Sequence, residues 1–214
     1  DNPSGYCPPL ADVRRLAQRL GERFPHCLLV VDEAYMDFAG DSPEDEARFS
    51  LLASGDVPDN VAIMRTFSKS YGLAGLRLGC GILPAELAQY YWRARLPFSV
   101  NILAEEAGIA VLQDSAFRAA TLACVRAGRR RLTEGLRALG CTVWPSAANF
   151  IMLRLPEGCG TAAACFEALL RRGIIIRPLK SYSLPEHLRV SVGSDEENRA
   201  FLEAMRQWMQ EVRA

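Results

Sequence analysis

Lys69 lies in the stretch "TFSKSYGLAGLRLG", residues 66–79, after a short polar run and ahead of Arg77 in a glycine-spaced segment. A lysine amine can condense with an aldehyde, and an arginine fork beside hydroxyl and N–H donors can hold a phosphate. Alone, the stretch would serve equally well as a surface lysine followed by an ordinary turn. Its meaning depends on what the rest of the chain places beside it. Asp32 closes the apolar run "CLLVVD", residues 27–32, and Asn2 and Gly5 sit in a turn before the first helical pattern. The acid therefore comes from a different segment from the one that carries the lysine and the arginine.

The elements that must position them alternate between helix and strand. In "PPLADVRRLAQRL" the apolar residues Leu10, Val13, Leu16, Ala17 and Leu20 follow one helix face, and two prolines open it where a missing N–H costs little. The runs "CLLVVD" and "NVAIMRTF" (60–67) are apolar, rich in β-branched residues and bounded by turn formers, as buried strands are. A third strand is expected at 77–83, helices over 86–95 and 101–139, and a helix stop at Gly140. Beyond that, "CTVWP", "NFIMLRL", "IIIRPL" and "HLRVSVG" read as strands, with a helix at 161–172. The last helix carries a capping box, Ser194 with Glu197, and a stripe of Phe201, Met205, Trp208 and Val212. A change of domain is expected near residue 113, giving segments 1–112 and 113–214.

Composition narrows the function classes. With 214 residues, 50% of them hydrophobic, the chain can bury a real core. Lys and Arg balance Asp and Glu at 25 each, which leaves no excess charge for nucleic acid or anionic lipid. No apolar run reaches the roughly 18 residues of a membrane span, and the first residues show no targeting pattern, so a cytoplasmic protein without membrane or nucleic-acid partners is expected. The seven cysteines form no C-x-x-C pair and several lie in apolar runs, so they are expected to be reduced core residues. His26 and His187 lack metal-ligand spacing and are expected to be structural, with no metal site. The "RAGRRR" run at 126–131 reads as the solvated face of a long helix.

In open α/β sheets, ligands lie beyond the carboxyl ends of the strands, where Asp32 and Lys69 are expected. A carboxylate, a lysine and an arginine converging on one crevice suit pyridoxal 5'-phosphate. Its aldehyde takes a lysine, its ring nitrogen a carboxylate and its phosphate an arginine with hydroxyl or N–H donors.

The segments "NPSG", "VDEAYMDF", "TFSKSYGLAGLRLG", "SAANFIML" and "LRVSVGSDEEN" resemble, in order, the second half of the fold-type I pyridoxal-phosphate aminotransferases, and most closely the histidinol-phosphate aminotransferases. The resemblance implies an α/β fold: part of a three-layer large domain with a mostly parallel sheet over 1–112, then a small α+β domain over 113–214. It further implies that Lys69 is the Schiff-base lysine, that Asp32 pairs with the ring nitrogen, and that Asn2 and Tyr35 bond the phenolic oxygen. Thr66, Ser68 and Arg77 would hold the phosphate. Arg189 would clamp the substrate α-carboxylate, with Asn149 and Arg177 lining the substrate side. Ser4 stands where the family motif N-P-T-G has threonine, and a hydroxyl is kept.

Each residue also has a plain structural role open to it: Asp32 as a strand-end turn former, Tyr35 as packing, Arg77 as a surface fork, Asn149 as a loop amide. Jointly, ordered motifs favour the site. The resemblance implies ping-pong transamination of an amino substrate with a keto acid, histidinol phosphate with 2-oxoglutarate, in a homodimer. The alternatives are a threonine-phosphate decarboxylase of cobalamin synthesis and a catalytically silent fragment. It also implies that the 214 residues alone are inactive, because the preceding part of the family's chain supplies a stacking ring, phosphate-binding N–H groups and flanking strands.

Overall fold

The computed structural model describes residues 1–40 and 43–213. The chain forms two units, residues 8–122 and residues 1–7 with 123–214. The expected α/β class is observed, with helices and strands in both units. The division falls inside a long helix rather than near residue 113.

In the first unit, helix α1 (Leu10–Arg23) follows Pro8 and Pro9, and buries Ala17 completely while Leu10 and Val13 pack alongside it. Leu16 falls off this stripe and is exposed. Strands β1 (Leu29–Asp32), β2 (Val61–Thr66) and β3 (Gly79–Ile82) make one sheet in that order. β1 and β2 are parallel, with Leu29 opposite Val61 and Asp32 opposite Met64. The link at 33–60 is long enough for the crossover that parallel strands require. β3 returns antiparallel, because the link at 67–78 holds only a turn and a 3-10 helix at Ala74–Leu76. The described three-stranded sheet thus has one parallel and one antiparallel pairing. Val61 and Ile63 of the central strand join Ala17 and Leu51 in the core.

Helices α2 (Ala85–Ala94) and α3 (Ile102–Gln113) follow, with the Asn101 side chain capping the Ala104 N–H at 2.9 Å. The single helix expected over 101–139 is split, since α4 (Ser115–Ala138) begins anew after Asp114, whose carboxylate accepts from the Phe117 N–H at 2.9 Å.

The second unit contains the rest of α4, helices α5 (Ala162–Leu170) and α6 (Asp195–Arg213), and a sheet of β4 (Thr142–Val143), β5 (Phe150–Arg154), β6 (Arg177–Pro178) and β7 (His187–Ser191). Its order is β4-β5-β7-β6, antiparallel throughout. Leu132 and Leu136 from α4, Ile151 and Leu153 from β5, Leu188 from β7 and Met205 and Trp208 from α6 form its core. The capping box is present: the Ser194 N–H donates to Glu197 at 2.7 Å and the Glu197 N–H to the Ser194 hydroxyl at 3.2 Å. Residues 1–7 belong to this unit because the Ala147 N–H donates to the Gly5 carbonyl at 2.8 Å. Gly5 has φ +76°, and a Cβ there would meet the Ser146 hydroxyl oxygen at 2.2 Å, so only glycine fits the turn.

Two side-chain expectations change. Cys141, Cys159 and Cys165 are buried, but Cys80 and Cys124 are exposed, because β3 and the early turns of α4 leave those positions uncovered. In the basic run, Arg129 turns back to donate to the Ala148 carbonyl at 3.0 Å instead of only facing solvent.

Candidate active site

Parallel pairing puts the carboxyl ends of β1 and β2 side by side. Asp32 ends β1, exposed, and one carboxylate oxygen accepts from the Ala34 N–H at 2.9 Å, which starts the turn carrying Tyr35. Thr66 ends β2 opposite Gly79, so the loop after Thr66 and the loop before Gly79 begin from one point. The Thr66 hydroxyl accepts from the Ser68 N–H at 3.1 Å, and the Phe67 N–H donates to the Leu78 carbonyl at 3.1 Å. This knot holds Thr66, Ser68 and Arg77 in one small region. Arg77 has φ 56°, a left-handed backbone uncommon for arginine, and its guanidinium donates to the Ala74 carbonyl at 2.9 Å. The Lys69 Nζ lies 5.1 Å from the centre of the Tyr35 ring. An amine, a phenol, a carboxylate, two hydroxyls and a guanidinium are therefore gathered at or just beyond one sheet edge.

Beneath this edge lies a charge cluster that the motif reading did not find. Glu33 is 2% exposed. It accepts from the Ser50 hydroxyl at 2.7 Å, the Leu51 N–H at 2.9 Å and Arg65 Nε at 2.9 Å. Arg65 also donates to Asp37 at 3.1 Å, Glu46 at 2.8 Å and the Ser50 hydroxyl at 2.9 Å. Arg118 reaches Asp37 at 3.3 Å and Glu46 at 3.1 Å. The buried Ser70 hydroxyl donates to the other Asp37 oxygen. Burial works against the charge on Arg65, but the hydrogen bond to Glu46 and the nearby carboxylates outweigh it and raise its pKa above the ordinary value. Arg118 is raised in the same way, burial being outweighed chiefly by Asp37. Burial, then the charge of Asp37, also pushes the Tyr71 phenol up. The visible signal was one arginine inside the apolar run "NVAIMRTF", a position where an unpaired cation would be costly.

The other expected residues belong to the second unit. Asn2 accepts from Arg189 Nη1 at 2.5 Å. Arg189 stacks 5.0 Å from the Phe150 ring centre, and its buried Nε has no hydrogen-bond acceptor among the described residues. Arg177 stands directly opposite Arg189 across the β6–β7 pair, which turns both side chains to the same face. Like charges so placed repel unless an anion joins them. Asn149 ends the bend that leads into β5, and its carbonyl accepts from the Val192 N–H at 2.8 Å. Asp32, Tyr35, Thr66, Ser68, Lys69 and Arg77 are thus grouped in one unit, and Asn2, Arg177 and Arg189 in the other with Asn149.

The donor set fits pyridoxal phosphate in kind: a lysine amine for an aldehyde, a carboxylate for a ring nitrogen, a phenol for a ring oxygen, and hydroxyls with a guanidinium for a phosphate. The orphaned Nε of Arg189 fits an oxyanion.

The family model for aminotransferase class I and II matches residues 1–205. A histidinol-phosphate aminotransferase of Nitratidesulfovibrio vulgaris, strain Hildenborough, is 61% identical over 207 residues, covering 97% of this chain and 53% of that protein. The structure of the Sinorhizobium meliloti histidinol-phosphate aminotransferase in complex with pyridoxal-5'-phosphate is similar with a TM-score of 0.85 and 30% identity, over 99% of this chain and 56% of that one. That of the Clostridium acetobutylicum histidinol-phosphate aminotransferase has a TM-score of 0.88 over 99% of this chain and 62% of that one, at 24% identity, a likeness of fold alone. The chain spans about half the length of the curated relatives it matches. With the family model matched along nearly all of its length and the lysine, acid and arginine gathered on the elements described, this chain belongs to the aminotransferase class I and II family.

Proposed function

We propose that the protein carrying this chain uses pyridoxal 5'-phosphate to transfer the amino group of histidinol phosphate to 2-oxoglutarate. The observation that carries this reading is the Lys69 amine beside the Tyr35 ring, at the strand edge that also bears Asp32 and Thr66. The choice of substrate is supported by 61% identity to a protein named histidinol-phosphate aminotransferase. When bound, pyridoxal phosphate supplies an aldehyde that condenses with amines and a ring that accepts the electron pair left at the substrate α-carbon.

Lys69 would hold the aldehyde, and its amine would be the group placed to move a proton at the substrate α-carbon. Asp32 would keep a proton on the ring nitrogen, and Tyr35 and Asn2 would orient the ring through its phenolic oxygen. Thr66, Ser68 and Arg77 would bind the phosphate. Histidinol phosphate has a phosphate monoester and no carboxylate, whereas 2-oxoglutarate has carboxylates, so the face bearing Arg177 and Arg189 must accept both anions in turn. Two guanidinium groups opposed across one strand pair suit that exchange. Asn149 lines the same side.

The reading extends to a cytoplasmic homodimer, which the native mass in solution tests. Incubating the purified protein with cofactor, histidinol phosphate and 2-oxoglutarate should yield glutamate and the keto product. Carbon dioxide from threonine phosphate would point instead to a decarboxylase, and neither product to a silent relative.

A further inference from the structure

The geometry points to Asp37 as a positioning residue that fixes the Lys69 backbone through Ser70. The inference rests on the assignment of Lys69 as the cofactor lysine, and it adds the device that aims this side chain. Lys69 sits in an irregular segment between β2 and the 3-10 helix at Ala74–Leu76, where no strand or helix ladder fixes its direction. On one side, the Ser68 N–H is tied to the Thr66 hydroxyl at 3.1 Å. On the other, Ser70 is 0% exposed and its hydroxyl donates to Asp37. Lys69 is thereby clamped between two anchored neighbours.

Asp37 is itself held fast. Its side chain is 8% exposed. One carboxylate oxygen takes Arg65 at 3.1 Å and Arg118 at 3.3 Å, which leaves the other for Ser70. Arg65 is held in turn by Glu33 and Glu46. Rotating Asp37 away would leave buried charges unpaired, so its position is set by the whole cluster. Asp37 follows Tyr35 in the turn after β1, and Tyr35 is the ring beside the Lys69 amine. The contacts close a ring from Tyr35 to Asp37, Ser70, Lys69 and back to Tyr35. The cluster thus fixes both the lysine and the phenol against which it rests.

The test uses the complete cofactor-binding protein and compares Ser70→Ala, Ser70→Thr and Asp37→Asn. In the cofactor-free form, amide hydrogen exchange over residues 67–72 should quicken roughly tenfold or more in Ser70→Ala, the size expected for losing a hydrogen bond to a charged acceptor. Exchange in α6 should not change. In the loaded form, kcat should fall with KM nearly unchanged, and Ser70→Thr, which keeps the hydroxyl, should restore both readouts. Asp37→Asn should resemble Ser70→Ala in the 67–72 segment. Unchanged exchange over 67–72 in a folded Ser70→Ala protein would overturn the inference, as would failure of Ser70→Thr to differ from Ser70→Ala. Should Asp37→Asn fail to fold, the serine pair still decides. Borohydride reduction and peptide mapping of the unsubstituted protein separately test Lys69 as the cofactor lysine, so a misplaced lysine and an absent tether give different results.

Discussion

Replacing Arg65 with methionine should expose how the buried cluster is balanced. Arg65 fills the space between Glu33, Asp37 and Glu46, and its side chain is 15% exposed while that of Glu33 is 1% exposed, so solvent screens the pairs little. Removing one partner of a buried ion pair costs about 3–5 kcal/mol, because the other charge stays buried. Here Asp37 and Glu46 keep Arg118, and Glu33 keeps the Ser50 hydroxyl and the Leu51 N–H. These surviving donors place the loss at the lower end, about 3 kcal/mol. Glu33 is the carboxylate left without its arginine. Adding Glu33→Gln to Arg65→Met should therefore recover about 1–2 kcal/mol, although Glu33→Gln alone is destabilising. Equilibrium urea unfolding by linear extrapolation on the complete protein, with the four species of the cycle, measures both quantities. A loss under about 1 kcal/mol for Arg65→Met, or a further loss on adding Glu33→Gln, would refute the account of Arg65 as the cation that balances Glu33.

Further outcomes follow from other sites. Arg189→Lys keeps the charge and loses the fork, so kcat/KM should fall by about 2–5 kcal/mol while the cofactor still binds; unchanged kinetics would reassign Arg189. Gly128→Ala should destabilise by about 1–3 kcal/mol despite alanine's better helix propensity, read as a lower melting temperature. A Cβ there would lie 2.5 Å from Val192 Cγ1 and 2.7 Å from Asn198 Nδ2, so overpacking outweighs propensity. Burial, then the charge of Arg154, lowers the His187 pKa below 6.5. The folded state therefore binds the proton less well than the unfolded chain, so stability is full above pH 6.5 and declines as pH falls from there through the folded pKa; His187→Gln should flatten that part of the pH–stability curve. Burial raises the thiol pKa of Cys165 to about 12 and of Cys141 to about 11, so iodoacetamide at pH 8 should leave both unmodified in the folded protein, as mass mapping would show.

What the sequence determined by itself was local. The capping box of Ser194 and Glu197 needs residues three apart and was found where expected. The strands were legible as apolar runs, although only Arg177–Pro178 of "IIIRPL" and Thr142–Val143 of "CTVWP" pair in the sheet, since a strand's length depends on its neighbour. The Asp114 cap that splits the long helix was equally local, but the apolar pattern continues on both sides and concealed it. Lys69 and Arg77 became legible only together with the other ordered motifs, since a lysine in a polar, glycine-spaced segment reads by itself as a surface residue. The tertiary structure decided the rest. Asn2 meets Arg189 across 187 positions, and Arg118 meets Asp37 across 81, so no local window could pair them. It also decided that Arg65, which reads as one more strand residue, is the centre of a buried cluster. An isolated cation there would be too costly to bury, and Glu33, Asp37 and Glu46, brought to it by the fold, make its burial tolerable.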